Sequence, residues 1–194
     1  AHKKQATKKD FFLINVNFTS NLVKSSIKNK VKRFIFLSSI GVNGPNSQKP
    51  FSENDIPEPK EEYAKTKFIA EKKIISTINN NNFTKYIIIR SPLVYGYDAP
   101  GNFYLLKKWV QSPLPLPFGM VNNKRSLISI NNLVDFIILI LEHPLAINNL
   151  FLISDSEPIS TKELVNNMVG DSNPIKNLPL PNILIKVMLF LIGK

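Results

Sequence analysis

Arg33-Phe-Ile-Phe-Leu-Ser-Ser39 is an apolar run closed by two hydroxyls, and its reading decides the fold. A short continuous apolar run predicts a strand covered on both faces, the habit of parallel sheets. Gly41, Gly44 and Pro45 break the chain behind it, and the loop continues through Pro50 and Pro57-Glu-Pro59 to Tyr63. A helix is predicted from about Glu61 to Ile78. Tyr86-Ile-Ile-Ile-Arg90 is a second buried strand, ended by Pro92 and Gly96. Upstream, Phe18 to Lys30 reads as a helix, with Leu22, Val23 and Ile27 among polar residues. Strand, helix and strand at crossover spacing define an α/β parallel sheet. Ligands of such sheets gather beyond the carboxyl ends of the strands. Ser39 and the Val94-Tyr95-Gly96 turn fall at such ends.

The texture changes from Asp98 onward, where Pro113, Pro115 and Pro117 cluster. Phe103 to Val110 reads as a short helix and Ser126-Leu-Ile-Ser-Ile130 as a short strand. Asn131 is placed to cap a helix from Asn132 to about Glu142. Phe151-Leu-Ile-Ser154 reads as another strand. Ser160-Thr-Lys-Glu163 has capping-box form and opens a last helix. The expected organisation is one domain over 1–97 and a second over 98–194, with about 126–145 returning to the first.

Composition narrows the chemistry. The chain has 194 residues, of which 43% are hydrophobic, enough to bury a core. It has no cysteine and two histidines, which argues against a disulfide framework, a thiolate metal site or a His-rich metal centre. No metal is expected, and a cysteine-free chain fits a reducing, cytoplasmic setting. The formal charge of +11 has two readings. One is an anionic partner such as nucleic acid or a membrane surface. The other is drift toward A/T-rich codons, which would enrich Lys, Asn and Ile together, as in Asn79-Asn80-Asn81-Asn82. The lysines are scattered and form no arginine-rich stripe, so the second reading is preferred and no nucleic-acid partner is expected. No signal-peptide pattern opens the sequence. The apolar run Ile183 to Ile192 is about half the length that crosses a bilayer, so a buried helix is expected there in place of a membrane span.

Tyr63-Ala-Lys-Thr-Lys67 carries the candidate chemistry. Its Tyr and Lys, four residues apart, share one helix face. Alone, such a pair is most simply an exposed helical contact. Here it follows a strand ending in Ser38-Ser39 and precedes Arg90-Ser-Pro-Leu-Val-Tyr-Gly96. A phenol with its ordinary pKa is a poor base at neutral pH, and a cation nearby favours the phenolate. Lys67 can supply that charge. Tyr63 could then pass a proton to or from a substrate oxygen held by Ser39. The accompanying hydride needs an acceptor that no side chain offers, which implies a nicotinamide cofactor.

These motifs resemble the extended short-chain dehydrogenase/reductase family, in its NAD-dependent nucleotide-sugar epimerase/dehydratase branch. Asn15-Val-Asn-Phe-Thr19 is similar to the family's Asn-Val-x-Gly-Thr helix start, and Val31-Lys-Arg-Phe-Ile-Phe-Leu-Ser-Ser39 to the strand with the catalytic Ser. Arg90 to Gly96 resembles the Arg-Pro-x-x-Val-Tyr-Gly segment. Leu116-Pro-Phe-Gly119 matches a stretch along the uracil, and Arg125 followed by Ser126 to Asp135 matches the Arg-x-x-x-x-Val-x-Asp-Leu signature. The resemblance implies catalytic Ser39, Tyr63 and Lys67. It implies NAD held by Asn15, Tyr63, Lys67, Pro92 and Val94. It implies a UDP-sugar held by Ser39, Asn102, Phe118 and Arg125, and a homodimer. Standing alone, Arg125 would read as a surface charge. Within this series it is read as a diphosphate ligand, while Asp135 is read as structural. The resemblance implies a reaction at the sugar C4, with epimerisation and ketoreduction both open.

The family also begins with a glycine-rich phosphate loop and an acidic ribose-binding residue. Neither precedes Asn15 here. The expected fold is therefore a partial Rossmann-type parallel sheet, its first βαβ unit missing, with a small interwoven substrate-binding domain. Exposed apolar sheet edges are expected with it. The alternative function is a non-catalytic Rossmann-like remnant acting as an interaction subunit. Phe18 stands in place of a Gly, Ser91 in place of a Pro, and Asn43 where the epimerase type has Tyr.

Overall fold

The computed structural model describes residues 6–97, 99, 102–155, 157–170 and 177–181. The apolar run Ile183 to Ile192 lies outside the described residues. The chain divides into two compact units, Ala1–Pro92 with Asn131–Ser154, and Leu93–Ile130 with Asp155–Lys194. The sequence reading placed the boundary near residue 97 and the return at about 126–145.

The first unit opens with a helical stretch: α1 (Lys8–Phe12), a π-helical segment Leu13–Phe18 and α2 (Thr19–Lys28). This start is earlier than the predicted Phe18. Thr7 and Asp10 form a capping box, with the Asp10 amide donating to Thr7 Oγ1 at 3.2 Å and the Thr7 amide to Asp10 Oδ2 at 2.9 Å. Phe12, Leu13 and Ile14 lie exposed, so apolar periodicity gives no sign of that helix. Strand β1 (Arg33–Ser39) follows, then a 3₁₀ turn Ile40–Val42, helix α3 (Glu62–Asn79) and strand β2 (Lys85–Ser91).

β1 and β2 run parallel, in register from Arg33 opposite Lys85 to Ser39 opposite Ser91. Helix α3 covers one face of the pair. Ala70, Ile74 and Ile78 from α3 pack with Phe36, Ile88 and Val23. The other face takes the returning segment. Ile87 and Ile89 pack there with Phe136, Ile137 and Ile140. Ile87, Ile88 and Ile89 are all fully buried, the reason β2 reads as an unbroken apolar run.

The second unit contains β3 (Leu93–Tyr95), α4 (Asn102–Gln111) and β4 (Leu127–Ser129), with β3 and β4 parallel. Val94 and Tyr95 are therefore strand residues, where a turn was predicted. Helix α5 (Ile130–Glu142) starts ahead of the predicted cap, so Asn131 lies inside it. Strand β5 (Asn149–Leu152) pairs parallel with β2, two residues earlier than predicted, giving the sheet order β1-β2-β5. Arg33 closes the returning segment: its guanidinium donates to the carbonyls of Glu142 and His143, both at 2.9 Å, at the α5 terminus. Helix α6 (Thr161–Val169) carries the predicted capping box, Glu163 amide to Ser160 Oγ at 3.0 Å and Ser160 amide to Glu163 Oε2 at 2.8 Å.

Among the described residues β1 has no strand on its outer side, and Leu37 is 42% exposed there. No described helix is long and apolar enough to cross a membrane. No cluster of three or more metal-ligating side chains occurs among the described residues.

Candidate active site

Ser39 is the last residue of β1, at its carboxyl end. The Gly41 amide donates to Ser39 Oγ at 3.2 Å, which orients the hydroxyl and leaves its proton to donate. Tyr63 and Lys67 lie one turn apart near the start of α3, the crossover helix that follows. Lys67 bridges the two elements. Its Nζ donates to the Leu37 carbonyl at 2.8 Å and stands 4.5 Å from the centre of the Phe36 ring. The strand of Ser39 and the helix of Tyr63 are thus joined through Lys67.

The electrostatics differ from the sequence expectation. Burial pushes the Tyr63 phenol above its ordinary value. Burial also pushes the Lys67 ammonium down, opposed by the negative charge of Glu71. Lys67 gives a hydrogen bond to Leu37, its Nζ lies 5.8 Å from the Tyr63 ring centre, and desolvation is the cause of the phenol's rise.

Asn15 is buried in the π-helical segment, a geometry that recurs at functional sites. Its Nδ2 donates to Thr66 Oγ1 at 3.0 Å, and Thr66 in turn donates to the Tyr63 carbonyl at 2.9 Å. Asn15 therefore meets α3 between Tyr63 and Lys67. Phe11 closes on Tyr63 edge-on, ring centres 6.1 Å apart. Pro92 follows β2, half-buried.

One group of functional candidates escaped the sequence reading. Arg90 and Glu71 form a buried ion pair, with side chains 4% and 2% exposed. Arg90 Nε reaches Glu71 Oε1 at 3.1 Å and Nη2 reaches Oε2 at 2.7 Å. Arg90 Nη1 donates to Asn43 Oδ1 at 2.8 Å, and Ser38 Oγ donates to Glu71. Asn43 also donates to the Ser52 carbonyl at 3.1 Å. A signal was present: Glu71 shares a helical stripe with Ile74 and Ile78, and Arg90 ends an isoleucine run. Opposite charges at two core positions imply a pair.

The remaining predicted residues belong to the second unit. Val94 is half-buried in β3, opposite Ile128. Asn102 is the first residue of α4. Phe118 packs edge-on against Trp109, ring centres 5.5 Å apart, and its amide donates to Asn177 Oδ1 at 3.1 Å. Arg125 is exposed and is held by its backbone alone among the described residues, through bonds of 3.0 and 2.9 Å to Ile159. Tyr95 donates to Asp155 Oδ2 at 2.8 Å, and that carboxylate raises the phenol's pKa.

Parallel strands joined by a crossover helix, with Ser39 at a strand's carboxyl end and Lys67 bonded to that strand, define an α/β fold of Rossmann type. The NAD dependent epimerase/dehydratase family model matches residues 2–153, and the chain belongs to this family. It is 40% identical over 185 residues to the UDP-glucose 4-epimerase of Vibrio cholerae, covering 93% of this chain and 56% of that protein. It is 29% identical to the N-acetyl-alpha-D-glucosaminyl-diphospho-ditrans,octacis-undecaprenol 4-epimerase of Escherichia coli O157:H7, over 88% of this chain and 53% of that protein. The chain thus spans about half the length of these curated relatives. Its fold matches the UDP-glucuronic acid 4-epimerase of Bacillus cereus in complex with NAD, with TM-score 0.74 and 21% identity over 91% of this chain and 59% of that one. The UDP-glucose 4-epimerase of Thermotoga maritima gives TM-score 0.71 and 23% identity over 92% of this chain and 63% of that one.

Proposed function

We propose that this chain carries the catalytic and substrate-facing part of an NAD-dependent nucleotide-sugar enzyme acting at the sugar C4, as a UDP-hexose 4-epimerase or a 4-keto-sugar reductase. The observation that carries this reading is the Lys67 tether to Leu37, which locks the Tyr63 helix to the strand ending in Ser39. The donor set suits the nicotinamide end of NAD. An ammonium has three donors, and one is given to Leu37, so others remain for a ribose.

The bound nicotinamide would supply the hydride acceptor and donor. Tyr63 exchanges a proton with the sugar 4-oxygen, and Ser39 hydrogen-bonds the same oxygen. Lys67 contributes the charge that favours the phenolate once substrate and cofactor enclose the site. Asn15 supports the turn between Tyr63 and Lys67, and Pro92 and Val94 line the cofactor side. Asn102, Phe118 and Arg125 hold the UDP portion, where the guanidinium fork suits a diphosphate. A homodimer belongs to the same proposal, supported by the exposed Leu13 and Phe18 of the first helical stretch, 56% and 59% accessible. A cytoplasmic setting goes with a nucleotide-sugar substrate.

The test is to denature the purified chain and assay the supernatant for NAD(H), then to follow UDP-glucose and UDP-galactose interconversion. Stoichiometric dinucleotide with turnover abolished in Tyr63→Phe supports this reading. A folded sample that releases no dinucleotide would favour the interaction-subunit reading.

A further inference from the structure

Glu71, Arg90, Ser38 and Asn43 are each buried, and together they join every element that presents the trio. Glu71 lies one turn beyond Lys67 on α3. Ser38 adjoins Ser39 on β1. Asn43 closes the 3₁₀ turn that begins directly after Ser39, its amide donating to the Ile40 carbonyl at 2.9 Å. Arg90 spans them from β2, two of its nitrogens on Glu71 and the third on Asn43. Asn43 in turn accepts the Glu58 amide at 3.2 Å, which fixes the loop leading back to α3.

We propose that Glu71 and Arg90 are positioning residues, a buried clamp that sets the Ser39 strand end and its loop in register with the Lys67 turn of α3. Adhesion between helix and sheet does not need them. Ile74 and Ile78, on the same stripe as Glu71, already supply it, and apolar residues bind such faces at least as well as a buried ion pair. What the pair adds is direction: a guanidinium fork on a carboxylate admits one arrangement. The proposal rests on the reading of Ser39, Tyr63 and Lys67 as the working groups.

The test uses the full chain and two variants, the paired replacement Glu71→Leu with Arg90→Met, and Asn43→Leu, which spares the ion pair. Both are expected to unfold cooperatively on heating. Amide exchange of Gly41 and Asn43 should rise about tenfold or more in each, while Ile74 and Ile88 keep wild-type protection. In the enzyme assay both should lose kcat about 100-fold with KM within a few-fold, the mark of misplaced reacting groups. Wild-type exchange at Gly41 and Asn43 in either variant overturns the clamp. So does a paired variant that does not fold, since fold and positioning would then be inseparable. The exchange arm needs neither cofactor nor substrate. A wild-type chain without dinucleotide or turnover therefore sinks the functional reading separately.

Discussion

Lys67 Nζ donates to the Leu37 carbonyl at 2.8 Å, so the cation of the Tyr-Lys pair is anchored to the strand that ends, two residues on, in Ser39. Among the described residues no strand pairs with β1 on the side away from β2. The bond places an ammonium at the carboxyl end of the sheet, where ligands of parallel α/β folds collect.

Tyr63 should therefore titrate above its ordinary value of 10.0 in the cofactor-free chain, because burial disfavours the phenolate. The chain has five tyrosines, and subtracting a Tyr63→Phe titration from the wild type, followed by tyrosinate absorbance, isolates this one. The sign for stability follows. Between the ordinary and the raised value the unfolded chain has released a proton that the folded chain keeps. The contribution is thus intact below 10.0 and is lost as pH rises through the folded value. Tyr63→Phe should soften the fall of Tm in that alkaline window. A difference titration centred below 10.0 would contradict the burial account.

Asn15→Ala removes the donor to Thr66, one hydrogen bond between the π-helical segment and α3. Loss of one buried partner costs about 1–3 kcal/mol. Urea denaturation of the variant should show a lower midpoint with an unchanged slope. Affinity for NAD should fall as well, because Thr66 sits between Tyr63 and Lys67. A variant with wild-type stability would mean that the Asn15 bond adds nothing to the one Thr66 makes with the Tyr63 carbonyl.

Much of the first unit was legible in the sequence, and the reasons are local. β2 announced itself because a strand covered on both faces is apolar without interruption, and β1 carries the same apolar run although Leu37 is exposed. Tyr63 and Lys67 announced a shared face because helical spacing fixes it. The Glu71–Arg90 pair was not read, since each charge sits inside an apolar pattern and only the three-dimensional packing of α3 on β2 matches them. The onset of the first helix was missed for the opposite reason. Its apolar residues Phe12, Leu13 and Ile14 face outward, so the capping box at Thr7 was the sole signal. β5 was misplaced by two residues because its sequence offers no turn residue that marks the strand start more sharply than Asn148 and Asn149. Asn148 takes a positive φ of 57°, a turn conformation that Asn tolerates well.

Gly119→Ala should damage the second unit through its backbone. A Cβ at this position would lie 2.8 Å from the Asn177 carbonyl oxygen and 2.8 Å from Leu178 backbone atoms. Backbone cannot swing aside as a side chain can. Overpacking of this kind costs about 1–3 kcal/mol. The Gly119 amide, which donates to Leu178 at 3.0 Å, should lose exchange protection, while Ile74 and Ile88 in the first unit keep theirs. Equal loss in both units would show that the damage is not local.

Arg125→Met separates binding from stability most cleanly. The side chain is exposed and the position is held by backbone bonds to Ile159, which the substitution leaves in place. Surface changes of this sort stay within about 0.5 kcal/mol, so Tm should hardly move. If the guanidinium grips a diphosphate, its loss removes a charge-assisted bond worth about 1.5–3 kcal/mol. Titration calorimetry with UDP should then show affinity reduced by roughly tenfold to a hundredfold. Arg125→Lys keeps the charge but loses the fork and should recover part of the affinity. Unchanged UDP affinity in Arg125→Met would remove this residue from the substrate set and restore the plain reading of a surface charge.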